Sequence, residues 1–195
     1  MNVVERALNK AAVLHDGQYR KKEKVPYIVH PVAVAMMLFE YTDDEQVIAA
    51  ALLHDTVEDC GYAPDDLERE FGKRIKNLVL GVTEDKSLPW RERKERYLKH
   101  LRTAPSESVL IAAADKIHNI RCVVELNQKH GDETWGVFDG ASGGNYLWYW
   151  KELLKIVKER GIEKKLVEQF EKALNEMQSL LHKLQTVPND APNFY

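Results

Sequence analysis

Apolar residues along this chain follow two patterns: stripes at spacings of three and four, and short runs that are apolar on every side. Val4, Ala7, Leu8, Ala11 and Leu14 form the first stripe, with His15 and Gln18 continuing it, and predict an amphipathic helix stopped by Gly17. Val32 through Phe39, entered through His30-Pro31, and Val47 through Leu53 are runs of the second kind. A helix apolar all round is buried all round, so these two segments are predicted to lie at the centre of the fold. Thr42 and Glu45 have the spacing of a capping box and are expected to start the second of them. Its continuation, His54-Asp55-Thr56-Val57-Glu58-Asp59, reads as the polar end of the same helix, stopped by Cys60-Gly61 and Pro64.

Further stripes predict a short acidic helix from Pro64 to Phe71 and a helix carrying Ile75, Leu78, Val79 and Val82. A charged helix follows from Trp90 to Leu101, whose Arg91, Arg93, Lys94 and Arg96 are expected to face solvent. Val109 through Ala114 leads into Asp115-Lys116-Ile117-His118-Asn119, a third buried helix interrupted by polar groups. Another helix opens at Tyr146-Leu147-Trp148-Tyr149-Trp150. The last, with Leu166, Phe170, Ala173, Met177, Leu180 and Leu184, packs within the molecule or forms the seam of a homodimer. No segment alternates with the period of a strand, so the fold class is all-α: one helical-bundle domain over residues 1–185, with 186–195 as a loose tail. Residues 130–144 hold five of the ten glycines and are expected to form a flexible aromatic loop, a candidate lid.

Composition narrows the partners more than the fold. The chain has 44% hydrophobic and 30% charged residues, a net charge of −3, and no apolar run near the roughly 18 residues of a membrane span. General nucleic-acid binding and membrane insertion are therefore not expected. The N-terminal residues enter an amphipathic pattern directly, without the form of a signal peptide. Cys60 and Cys122 sit within helical patterns rather than a disulfide framework, which fits a reducing cytoplasm.

The candidate chemistry lies where polar groups interrupt buried helices. Asp55 and Asp115 each stand at the end of an apolar run, where an unpaired carboxylate costs several kcal/mol or takes up a proton. His30 and His54 stand in equivalent places, and the four together offer two nitrogen and two oxygen donors without thiolate. Such a set suits Mn²⁺, Fe²⁺ or Zn²⁺, with Mg²⁺ the least comfortable beside two imidazoles. His15, on the apolar face of the first helix, reads as a hydrogen-bonded core histidine rather than a ligand. Tyr19 to Tyr27 form a loop with four cations, Arg20, Lys21, Lys22 and Lys24, just ahead of His30.

His30, His54-Asp55 and the distant Asp115 resemble the signature of the HD-domain metal-dependent phosphohydrolases, which are all-helical. More narrowly, Gln18-Tyr19-Arg20-Lys21, Pro26-Tyr27-Ile28-Val29-His30-Pro31, Ala50 through Asp59 and Asp115-Lys116-Ile117-His118-Asn119 resemble, in order, the hydrolase domain of the Rel/Spo alarmone enzymes and the small stand-alone alarmone hydrolases. The resemblance implies that His30, His54, Asp55 and Asp115 hold a divalent metal, with Mn²⁺ the leading choice, and that Glu58 and Asp59 are the catalytic pair. It implies that Arg20, Lys21 and Lys22 clamp phosphates and that Asn119 contacts the nucleotide. The expected reaction is removal of the 3′-pyrophosphate of guanosine tetra- or pentaphosphate (ppGpp). Hydrolysis of another nucleotide or phosphoester, and non-catalytic nucleotide sensing, are the alternatives. Two departures stand out: alarmone hydrolases commonly carry a lysine where this chain has Ala112, and the loop between Arg20 and Pro26 is one residue longer than in many Rel proteins. No synthetase motif follows, so hydrolysis in one direction is the expectation.

Overall fold

The computed structural model describes residues 1–21, 24–131, 134 and 143–186, with side chains to residue 182. Lys22, most of the loop expected to act as a lid, and residues 187–195 of the expected tail lie outside the described residues. The described residues form ten helices: α1 (Val3–Leu14), α2 (Val29–Leu38), α3 (Glu45–Leu53), α4 (Thr56–Cys60), α5 (Pro64–Phe71), α6 (Lys73–Leu80), α7 (Trp90–Leu101), α8 (Ser106–His130), α9 (Gly143–Glu159) and α10 (Lys164–Thr186). No strand occurs among them, and the one bridge, Tyr19 to Pro26, pinches the loop between α1 and α2. None of these helices is long and apolar enough to cross a membrane.

The all-apolar runs do occupy the centre. Every residue from Val47 to Leu53 is buried, and α3 packs against α1, α2 and α6. Ala49, Ala50 and Ala51 have no exposed surface, and their small side chains let neighbouring helices approach closely. On the other side of α2 lies α8, with Ile111 through Ala114 fully buried, and α9 and α10 pack on its outer part. Leu166, Phe170, Ala173 and Met177 of α10 are buried in this packing at no more than 2% exposure. These four positions of the heptad stripe therefore pack within the molecule.

The expected capping box at Thr42 is not formed. Asp44 caps α3, its Oδ1 accepting from Gln46 N at 2.9 Å, while the Thr42 hydroxyl accepts from Asp44 N at 3.1 Å. A carboxylate at this position carries the charge that a helix start favours. A capping box occurs instead at Asn2 and Glu5, which opens α1.

The second correction matters more for the site. The helix does not run unbroken through His54 to Asp59: α3 ends at Leu53, and α4 begins at Thr56. Side chains take the carbonyls that a continuing helix would need. His54 Nδ1 donates to Ala51 O at 2.7 Å, and the Thr56 hydroxyl donates to Leu53 O at 2.7 Å. Local side-chain bonds of this kind compete with the main-chain ladder and release the turn. Gly61 closes α4 in the left-handed conformation, φ 65°, where a glycine costs least.

Candidate metal centre

Three segments bring the predicted donors together: the start of α2 carries His30, the turn after α3 carries His54 and Asp55, and the middle of α8 carries Asp115. The imidazoles are 1–2% exposed and Asp115 5%. One ligand atom each of His30, His54 and Asp115 lies within 4.8 Å of the others. His30 Nε2 is 3.1 Å from Asp115 Oδ1 and 3.5 Å from Asp55 Oδ2; His54 Nε2 is 3.1 Å from Asp55 Oδ2 and 3.8 Å from Asp115 Oδ1.

The outer atoms of these groups are already committed. His54 Nδ1 donates to Ala51 O, which turns its Nε2 toward the centre, where Asp55 Oδ2 lies 3.1 Å away. His30 Nδ1 meets His118 Nδ1 at 2.8 Å. Burial and the neighbouring His30 push the His118 imidazole down to about 4, which keeps it neutral and able to accept that bond. Asp55 Oδ2 accepts from the Tyr27 hydroxyl at 2.8 Å, and Asp115 takes Lys116 Nζ at 2.5 Å on Oδ2 and Asn119 Nδ2 on Oδ1. Second contacts of this type orient metal-binding histidines and carboxylates.

The charges tell the same story. Burial opposes ionisation of Asp55 and Asp115, but His54 beside the first and Lys116 beside the second hold both below the usual carboxylate range. Burial likewise opposes a charged His54, and the adjoining Asp55 and Asp115 raise it to about 9. The two carboxylates thus draw positive charge to the space between the imidazoles. A divalent cation would supply it from the same place, so the donor set fits a metal.

Glu58 and Asp59 project from α4. Glu58 Oε2 accepts the main-chain N–H of Glu84 at 3.0 Å, and Lys86 lies 3.5 Å from its other oxygen while also pairing with Asp59. Burial, then the charges of Glu84 and Asp55, raise the Glu58 carboxyl to about 7. It can therefore exchange a proton near neutrality. Asp59 opens onto a hollow of about 560 Å³, which Arg20, Lys21 and Asn119 also line. Arg20 donates to Asn119 Oδ1 at 3.3 Å, tying two of the expected substrate contacts together. Tyr27, Tyr146, Tyr149 and Trp150 add aromatic surface, and Lys94 and Lys116 add charge. A larger hollow of about 860 Å³ between α8 and α10 contains none of the site residues.

Two expectations from sequence fail here. Lys94 is buried rather than solvent-facing, its Nζ 2.6 and 2.7 Å from the two oxygens of a buried Glu84, and Arg93 also turns inward, 3.2 Å from Glu84. Charged side chains of a helix go inside when a buried partner awaits them, and that partner, ten residues earlier in a loop, gave no periodic signal. His15 is the core residue expected, 3% exposed, bonded to Gln18 Oε1 at 2.8 Å and stacked on Tyr27. Sequence reasoning missed Tyr27, His118, Lys116 and Glu84 as supports of the site. Tyr27, Lys116 and His118 fall within the motifs that carry the family resemblance, and Glu84 carried no signal.

This chain is similar to known proteins in sequence and in fold. The HD domain family profile matches residues 7–139. The guanosine-3′,5′-bis(diphosphate) 3′-pyrophosphohydrolase MESH1 of Xenopus tropicalis is 43% identical over 118 residues, 59% of this chain and 66% of that protein. The bifunctional (p)ppGpp synthase/hydrolase SpoT of Escherichia coli K12 is 39% identical over 118 residues, 57% of this chain and 17% of that protein. The match thus spans just under two thirds of the frog relative and about a sixth of the bacterial one. A solved metazoan ortholog of SpoT, described as hydrolysing ppGpp with a role in starvation responses, superposes with a TM-score of 0.76 at 29% identity, covering 90% of this chain and 96% of that one. On its profile match, its helical architecture and its buried histidine–aspartate cluster, this chain belongs to the HD domain family.

Proposed function

We propose that this chain is a divalent-metal-dependent phosphohydrolase that removes the 3′-pyrophosphate of guanosine tetra- or pentaphosphate, with Mn²⁺ as its resident metal and residues 1–185 as one catalytic domain. The observation that carries the reading is the convergence of His30, His54 and Asp115, with Asp55 Oδ2 3.1 Å from His54 Nε2 and 3.5 Å from His30 Nε2, beside a hollow lined by cations and aromatic rings. The names of the similar proteins support the choice of substrate. Two imidazoles favour Mn²⁺ over Mg²⁺.

His30, His54, Asp55 and Asp115 would hold the metal, which when bound lowers the pKa of water and offsets phosphate charge. Glu58 takes the proton from the attacking water, because its carboxyl exchanges protons near pH 7. Asp59, at the edge of the hollow and paired with Lys86, orients the water as its oxygen bonds to the 3′ phosphorus and the P–O3′ bond breaks, the proton taken by Glu58 passing to the 3′-oxygen of the departing guanosine 5′-diphosphate. Arg20 and Lys21 grip phosphate oxygens, with Lys22 as a third cation from sequence, and Asn119 contacts the nucleotide. Ala112, where alarmone hydrolases commonly carry lysine, is fully buried; Lys94 and Lys116 supply charge to the hollow in this chain.

The test is a nucleotide panel with added Mn²⁺, scored for pyrophosphate against orthophosphate. Pyrophosphate from the guanosine tetraphosphate supports the assignment. Orthophosphate, or activity confined to other nucleotides, would assign the same centre to a different phosphoester.

A further inference from the structure

One buried carboxylate outside the donor set touches several parts of the site at once. Glu84, in the loop between α6 and α7, is 8% exposed. Its main-chain N–H donates to Glu58 Oε2 at 3.0 Å. Its side chain accepts from Lys94 Nζ on both oxygens, at 2.6 and 2.7 Å, and from the Tyr149 hydroxyl at 3.4 Å. Lys94 and Tyr149 both line the hollow. A carboxylate buried merely for stability gains little over an apolar residue of similar volume, because desolvation cancels most of the ion pair. Here the pair joins the proton-handling group to the wall of the hollow.

We propose that Glu84 is a positioning residue: its main-chain N–H fixes the Glu58 carboxylate, and its side chain sets Lys94 and Tyr149 on the wall of the hollow. The assignment rests on Glu58 being the proton-handling group of the reaction proposed above. Other charged groups also face Glu58. Asp55, from the turn after α3, and Glu84 favour the protonated form, whereas Lys116 of α8 and Lys86 of the α6–α7 loop oppose it. Lys94, with Arg93 3.2 Å from the same carboxylate, compensates Glu84 and so moderates its influence. Removing either member of the Glu84–Lys94 pair should therefore move Glu58 in opposite directions, which a role in folding alone would not do.

Carboxyl-carbon NMR of the Mg²⁺-loaded chain, with the Glu58 signal identified by its loss in Glu58→Gln, follows this titration independently of turnover. Glu84→Gln should lower the Glu58 midpoint by about 0.5 pH unit or more, as expected on removing a nearby like charge. Lys94→Gln should raise it, and Glu84→Asp, which keeps the charge, should leave it in place. The acid limb of the pH–rate profile for pyrophosphate release should shift with the midpoint. Midpoints unchanged in both Glu84→Gln and Lys94→Gln overturn the assignment, as do shifts in the same direction. If Glu84→Gln does not fold, Lys94→Gln decides alone: an upward shift supports the role and a fixed midpoint removes it. Opposed shifts in a chain whose wild type releases no pyrophosphate would uphold Glu84 as the group that tunes Glu58 while contradicting the proposed substrate.

Discussion

Replacing Glu58 with glutamine should abolish turnover and stabilise the protein, and the size of the second effect follows from the burial of one carboxyl. Glu58 moves from an ordinary 4.5 to about 7 in the fold. At about 1.36 kcal/mol per pH unit, keeping it ionised in the folded state costs roughly 3 kcal/mol, an upper figure because the side chain retains some contact with water. The sign is fixed by the raised value. Below pH 4.5 the carboxyl is protonated in both folded and unfolded chains and the cost vanishes; it grows as pH rises and is fully present above about 7. Glutamine keeps an oxygen for the Glu84 N–H and carries no charge. Urea unfolding of metal-free protein should therefore find Glu58→Gln more stable than wild type by about 1–3 kcal/mol at pH 8 and equal to it at pH 4.5. The same variant, loaded with Mn²⁺, should bind the metal normally and lose at least about 100-fold in rate, the usual worth of a proton-transfer group. Equal stabilities at pH 8 would refute the account of its burial, and normal turnover would remove its catalytic role.

Asp115→Ala should lose the metal, measured as metal per chain after dialysis. It should also lose about 3–5 kcal/mol of stability, because Lys116 is left buried without its carboxylate. Adding Lys116→Met should recover stability but not metal, and a stoichiometric metal content in Asp115→Ala would contradict the ligand set. Gly81→Ala tests the packing of α6 on α8: the new methyl would run into Ser108 Oγ and stand 2.8 Å from its Cβ. A cost of about 1–3 kcal/mol is expected in thermal or urea unfolding, and an unchanged midpoint would show that the helices yield freely.

How much of this could be read from sequence depended on the range of the interaction involved. The buried helices α2, α3 and the first half of α8 follow from runs such as Val47 to Leu53, because a segment without a polar face has nowhere to lie but the core. His30, His54, Asp55 and Asp115 were visible for the complementary reason: polar groups inside such runs need partners. The break at His54–Asp55 was not visible, since it depends on His54 and Thr56 turning their side chains back onto Ala51 and Leu53, and the sequence permits either choice. Contacts between distant segments were hidden altogether. Lys94 sits in a helix that reads as solvent-facing, and only the fold places Glu84 against it; His30 and His118 meet across 88 residues. Periodicity reports which face of an element is buried and says nothing of which charge waits there.

The most direct test of the central claim is to supply Mn²⁺-loaded protein with guanosine 3′,5′-bis(diphosphate) and identify the products. The account predicts one pyrophosphate and one guanosine 5′-diphosphate per substrate consumed, with release abolished in Asp115→Ala. Intact substrate after prolonged incubation, or orthophosphate as the released group, would contradict it.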